Sequence, residues 1–281
     1  MAAAEPSSFI FVGGLHRSGT TLVADWLAQH PEISGLRNTG VPEDEGQHLQ
    51  RVFPTAGGLG GVRFGESPAA HMTEVHAKSH DQIRAHRLDA WSPYWDSTKR
   101  MVVEKSPPNL LKTRFLQAIF PTACFVIVVR HPAVVSYAVQ RWTPRLSRPW
   151  VQPIHGLIRH WVTCHEILES DAPSINRLFV TRYEDIVSQP MRELDRLFEF
   201  LKLPAVVHPE PPKLGLNEKY FRRWKAPFNP ARAAYTRAVG RMFESRVRRF
   251  GYTLRDPWPL ATRPGPVADL PLHFDSVRPR R

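Results

Sequence analysis

The stretch Phe9-Ile10-Phe11-Val12-Gly13-Gly14-Leu15-His16-Arg17-Ser18-Gly19-Thr20-Thr21 decides the fold. Residues 9–12 are wholly apolar, as in a strand buried on both faces of a parallel sheet. Residues 13–21 are polar and contain glycine, which predicts a turn. From Thr20 to His30 the apolar Leu22, Val23, Trp26 and Leu27 recur at helical spacing, and Pro31 marks the stop. Working outward, residues 101–103, 124–129 and 178–181 read as further strands, and Cys124–Val129 is an unbroken apolar run ending at Arg130. Helical patterns cover residues 110–119, 133–142, 154–168 and 191–201, the last opened by Pro190. A basic helix is expected over residues 235–250, with Val239, Met242, Phe243, Val247 and Phe250 inward. Strands alternating with helices predict an α/β fold with a mainly parallel sheet. Residues 35–95 break that alternation with Gly57-Gly58, Gly60-Gly61 and scattered histidines, so they read as an insertion.

The chain has 281 residues, of which 42% are apolar and 23% charged, enough for one sizeable core and unlike a disordered segment. No apolar run reaches the roughly 18 residues of a membrane span. Residues 1–8 lack a basic and apolar leader, so no secretory signal is expected. Cys124 and Cys164 are too few for a disulfide scaffold and lie in apolar segments, which predicts buried thiols and a cytoplasmic protein. The net charge is +12, and residues 213–255 hold 12 Lys/Arg against 2 Glu. That field suits a phosphate-rich ligand, a nucleic acid or an anionic surface, although a solvated helix face carries the same pattern. From Asp256 onward six prolines in 26 residues predict an irregular arm.

Gly14 to Gly19 has the G-x4-G frame of a P-loop, in which backbone N–H groups and a helix N-terminus cradle an anion. Thr20 stands where a triphosphate-binding loop has lysine, and Arg17 supplies a cation inside the loop instead. Such a loop suits one tetrahedral anion better than a triphosphate. Arg130 sits at the carboxyl end of a strand, the edge where α/β sheets bind ligands, and could clasp a second anion with Ser136. Glu104-Lys105-Ser106-Pro107 occupies another strand end, which would bring Lys105 to the same edge. Taken singly, a strand-end arginine is more often a structural ion-pair partner, and a lysine is as readily a surface residue.

Together these elements resemble the PAPS-dependent sulfotransferases, whose donor is 3′-phosphoadenosine 5′-phosphosulfate. Arg17-Ser18-Gly19-Thr20-Thr21 is similar to the 5′-phosphosulfate loop of tyrosylprotein sulfotransferases, and Glu104-Lys105-Ser106-Pro107 to the strand-end motif of heparan sulfate glucosaminyl sulfotransferases. Arg182-Tyr183-Glu184-Asp185 and the run 246–254 (RVRRFGYTL) also look like this family. The resemblance implies a P-loop-type three-layer fold over residues 1–255, with residues 35–95 shaping the acceptor site. It implies that Arg17, Ser18, Gly19, Thr20 and Thr21 bind the 5′-phosphosulfate and Arg130 and Ser136 the 3′-phosphate, with Arg17 and Lys105 also catalytic. Ser136 stands six residues after Arg130, where most relatives have eight. The histidine of cytosolic members is replaced by Pro107, and their Arg-Lys-Gly motif has only Tyr220-Phe221-Arg222-Arg223-Trp224-Lys225 as a substitute.

The resemblance also implies a glutamate base shortly after the first helix and its His-Pro stop. His30-Pro31 is in register, but Leu36-Arg37-Asn38-Thr39 offers no base, which leaves Glu43, Asp44, Glu45 and His48, with Glu45 first and His48 second. No metal is implied, and the thirteen histidines show no ligand spacing; His71, His76, His80 and His86 read as surface residues of a polar helix. The expected acceptor is a hydroxyl or amine on a small molecule, glycan or peptide, with no nucleic acid partner. Two other readings remain: a P-loop kinase or NTPase, and a non-enzymatic binder of nucleic acid or an anionic surface. Thr20 and the absence of an apolar strand ending in a magnesium-binding Asp count against the first. The second leaves the Arg17–Thr21 loop unexplained.

Overall fold

The computed structural model describes residues 6–142, 152–206, 209–210, 215–226 and 229–255; the expected arm at 256–281 lies outside them. Among these residues five strands form one sheet: β1 (Ser8–Gly14), β2 (Ile33–Gly35), β3 (Met101–Lys105), β4 (Cys124–Val129) and β5 (Leu178–Arg182). Their order is β2-β3-β1-β4-β5 and every pairing is parallel. The chain leaves β1 toward β2 and β3 on one side and then crosses to β4 on the other. The carboxyl edge beside β1 is therefore the switch point at which open α/β sheets take ligands.

Side chains alternate across a strand, and the two sets enter separate cores. Phe9, Phe11, Phe125, Ile127 and Val129 face one layer, while Ile10, Val12, Cys124, Val126 and Val128 face the other. The second layer contains α1 (Thr20–Leu27), α6 (Tyr183–Ser188) and α7 (Pro190–Leu201). The first is larger and contains α2 (His80–Trp91), α3 (Thr113–Ile119), α4 (Pro132–Trp142), α5 (Ile154–Asp171), α8 (Glu218–Lys225) and α9 (Pro230–Arg248). Helix, sheet and helix make three layers, as expected.

Residues 35–95 also contribute to the core. Phe53, Ala56, Leu59, Phe64, Ala70, Trp91 and Trp95 are buried in the larger core, carried on short 3-10 turns and α2. The Arg87 guanidinium stands over Trp91, 3.9 Å from the ring centroid. The helix expected over 110–119 is broken: Pro107–Leu111 is a 3-10 turn, and Lys112 is non-helical where its Nζ donates to the Pro54 carbonyl. Met242 points outward at 66% exposure, whereas Val239, Phe243, Val247 and Phe250 are buried as expected. Of the four histidines placed on one polar helix, only His80 and His86 share α2, and His71 instead meets Asp171 at 2.8 Å. No described helix is long and apolar enough to cross a membrane.

Candidate active site

The loop after β1 reaches its turn through Arg17 at φ 69° and Gly19 at φ 107°. A side chain at Gly19 would meet both a left-handed backbone and the Tyr183 ring, 2.5 Å from its Cβ position. The first-turn N–H groups of α1 have no carbonyl partner within the helix, so they remain available to an anion. The Ser18 hydroxyl is buried without a partner, and the exposed Arg17 side chain has no ion pair among the described residues. A cleft of about 330 Å³ opens here, lined by His16, Arg17, Gly19, Thr20 and Thr21, by Glu43, Glu45 and Pro107, and by Arg130, Trp142 and Tyr183. That size lies at the lower end of small-ligand sites.

Lys105 ends β3 opposite Val12 and is only 6% exposed. Its ammonium pairs with Glu45 Oε1 at 2.9 Å and Glu43 Oε2 at 3.3 Å, and Thr21 Oγ1 donates to the same Glu43 oxygen. Burial raises the Glu45 carboxyl above its ordinary value, against the pull of Lys105 and Gln47. At Glu43 burial also opposes the charge, but Lys105 and Thr21 outweigh it and the carboxyl lies below its ordinary value. Burial lowers His16 to about 4, so its ring is neutral near pH 7. His48 Nε2 stands 3.7 Å from Glu45 Oε2, on the three-residue turn Gly46–His48.

Arg130 is not an ordinary ion-pair partner. Its Nη1 donates to the Arg17 carbonyl, Nε and Nη2 both donate to Asn217 Oδ1, and its guanidinium lies 3.8 Å from the Tyr183 ring centroid. No described carboxylate pairs with it directly, so a buried cation faces the cleft without a counter-charge in contact. Burial lowers the guanidinium from its usual value. Glu184 ties the surrounding segments together, accepting from His131 N–H, Asn217 Nδ2 and Tyr252 O–H. The segments Arg130-His131, Arg182-Tyr183-Glu184-Asp185 and RVRRFGYTL therefore meet at one carboxylate. Ser136 differs from expectation in place: it is fully buried on α4 with an unpartnered hydroxyl and does not line the cleft.

Some groups at the cleft had no signal of their own in the sequence: His16 and Trp142 line it because the fold brings them there, and Asn217 reaches Arg130 across 87 positions, whereas Glu43 and Tyr183 lie in stretches the sequence singles out. Glu104 is fully buried and accepts from Gly46 N–H, Ser106 O–H and Asn109 Nδ2, so it holds the Glu45 loop rather than facing the cleft. Among the described residues no group of His, Cys, Asp and Glu has the arrangement of a metal centre.

A model described as the sulfotransferase family matches residues 9–207. Protein-tyrosine sulfotransferase A of Caenorhabditis elegans is 23% identical over 222 residues, covering 73% of this chain and 53% of that protein. Omega-hydroxy-beta-dihydromenaquinone-9 sulfotransferase Stf3 of Mycobacterium tuberculosis is 24% identical over 145 residues, or 44% of this chain and 36% of that one. The chain spans about half the length of the first of these relatives and less of the second. Among solved structures, a sulfotransferase of Mycobacterium tuberculosis aligns with a TM-score of 0.53 at 15% identity, covering 86% of this chain and 77% of that one, a likeness of fold. With the match to the family model running from β1 past α7, the chain belongs to the sulfotransferase family.

Proposed function

We propose that this protein transfers the sulfuryl group of 3′-phosphoadenosine 5′-phosphosulfate to a hydroxyl or amine of a small-molecule, glycan or peptide acceptor. The observation that carries the reading is the convergence of Arg17 and its loop, the Lys105–Glu45 pair and the uncompensated Arg130 on one cleft at the switch point. The loop N–H groups and Arg17 take the 5′ end of the donor, and Arg130 takes the 3′-phosphate. The orphaned Ser18 hydroxyl lies inside the loop and fits a group that completes it, whereas Ser136 lies away from the cleft lining. No metal is needed for this chemistry. The buried free thiols suit a reducing compartment, and the proposed location is cytoplasmic.

In the transfer, the acceptor oxygen or nitrogen forms a bond to sulfur as the bond from sulfur to the donor phosphate oxygen breaks. Negative charge grows on that departing oxygen, where the loop N–H groups, Arg17 and Lys105 stabilise it. Glu45 accepts the acceptor proton. Protonation of Glu45 removes one of the two carboxylate charges paired with Lys105, the other being Glu43, so the ammonium acts more strongly on the leaving phosphate as charge develops there.

Arg130→Ala is expected to weaken binding of adenosine 3′,5′-bisphosphate about ten- to hundredfold, the range of a lost charge-assisted contact worth about 1.5–3 kcal/mol. Arg17→Ala is expected to lower turnover as well as affinity. Calorimetry and turnover with labelled donor check both. Normal donor binding by Arg130→Ala together with an earlier melt would assign Arg130 to the fold alone. A screen of acceptors with labelled donor identifies the second substrate.

A further inference from the structure

Glu45 is held by more than Lys105. The amide of Gln47, 2% exposed, lies end-on between two partners: Ala56 N–H donates to Oε1 at 2.8 Å, and Nε2 donates to Glu45 Oε2 at 2.5 Å. A backbone N–H can only donate, so the amide oxygen must face Ala56 and the NH₂ group must face Glu45. The orientation of this side chain is thereby determined by its surroundings.

The backbone around Gln47 is equally constrained. Gly46 N–H donates to Glu104 Oε1 at 3.0 Å, Gln47 N–H to Ser106 Oγ at 3.1 Å, Trp91 Nε1 to the Gly46 carbonyl at 3.0 Å and Gln50 Nε2 to the Gln47 carbonyl at 3.0 Å. Residues 45–47 are therefore clamped to β3 and α2. With Lys105 on one carboxylate oxygen and Gln47 on the other, the plane of the Glu45 carboxylate is set, and its remaining acceptor capacity serves the cleft.

We propose that Gln47 is the positioning residue of this site, orienting the Glu45 carboxylate toward the acceptor and holding it ionised in a buried setting. The proposal rests on the reading of Glu45 as the proton acceptor for its catalytic meaning, though not for its test. A donor aimed at a carboxylate favours the charged form, and burial opposes it. The other charged or titratable groups around Glu45 are Lys105 from β3, Glu43 and His48 from its own loop, and His16 and Arg17 across the cleft. Gln47 is the neutral donor among them whose removal changes no net charge.

The test is a carboxyl-carbon NMR titration of the full chain labelled at glutamate, with the Glu45 signal assigned by its loss in Glu45→Gln. In Gln47→Met the Glu45 titration is expected to move to higher pH. In Gln47→Glu, which keeps an oxygen for Ala56 but sets a second carboxylate against Glu45, the pair should titrate in two separated steps, one above the parent. Should Gln47→Met fail to fold, the isosteric Gln47→Glu decides. The acid limb of kcat/KM should move in parallel, with donor affinity unchanged. An unmoved Glu45 titration in the folded variants would overturn the proposal and leave Gln47 as packing. Full turnover by Glu45→Gln would instead overturn the assignment of the base, whatever the titration shows.

Discussion

Glu45→Gln is expected to lower turnover at saturating donor by roughly 10²–10⁴-fold while donor affinity stays unchanged. The substitution keeps the shape of the side chain and removes its basicity. It also places an amide between Lys105 Nζ and Gln47 Nε2, two donors that now share one acceptor oxygen, so the Lys105 contact loosens too. His48→Ala should have the smaller effect, because His48 stands 3.7 Å from Glu45 and is not among the cleft-lining residues. Protonation of Glu45 removes the base, so activity falls as pH drops through its titration. Burial raises that titration from its ordinary value, so the acid limb lies at higher pH than an exposed glutamate would give. Turnover near the parent level in Glu45→Gln, with reduced turnover in His48→Ala, would move the base to His48.

Unfolding on acidification between about pH 6.5 and pH 4 is the other large expected effect. His131, His160 and His165 are each 2% exposed or less, and burial lowers them to about 4, 3 and 4. His131 shows why. Its Nδ1 accepts from Ala133 N–H and its Nε2 donates to the Thr253 carbonyl, so the neutral tautomer is satisfied and a second proton would face an N–H group. His165 donates from Nδ1 to the Trp161 carbonyl and leaves Nε2 with no partner for a proton's charge. The unfolded chain takes up these protons near pH 6.5, whereas the folded chain resists them. Stability is therefore full above pH 6.5 and falls as pH descends toward the folded values. Each histidine contributes about 3 kcal/mol to that loss, and together they approach the whole stability of a typical domain. Asp185, raised to about 6 by burial, titrates in the opposite sense and offsets part of it. Far-ultraviolet dichroism and Trp fluorescence followed from pH 7.5 to 4 check the expectation. A Tm that stays level across that range would contradict it.

The elements that were readable in advance are those whose pattern is local. Cys124–Val129 is a strand at the expected residues because six successive apolar side chains leave a parallel sheet few alternatives. The β1–loop–α1 unit was readable for the same reason, with its glycines where φ turns positive. β2 was not, because three residues carry no period and its strand character comes from pairing with β3. Met242 shares the helical spacing of its buried neighbours, and only the packing of α9 against α5 decides which edge of the apolar stripe faces outward. The core contribution of residues 35–95 was not legible, because their polarity masks the scattered Phe53, Phe64 and Trp91 that enter the core.

The site divides along the same line. Lys105 and Arg130 were nameable at strand ends, Arg17 in the loop and Glu45 through the family resemblance; Arg17, Glu45 and Arg130 line one cleft and Lys105 pairs with Glu45 at its edge. Several partners that hold them lie far away in sequence: Glu104 acts on Gly46 across 58 positions, and Asn217 on Arg130 across 87. Nothing in local composition distinguishes such residues from ordinary polar ones. Motif similarity singled out the groups proposed to meet the ligand, whereas the geometry shows the groups that hold them.

A cleft built for a 3′-phosphorylated adenosine donor would hold one anion in the loop and a second at Arg130. Titration calorimetry of the full chain with adenosine 3′,5′-bisphosphate, and separately with ATP and magnesium, tests it most directly. The bisphosphate should bind without magnesium and far more tightly than ATP, because Thr20 replaces the lysine that grips a triphosphate. Equal or tighter binding of ATP with magnesium would contradict the account.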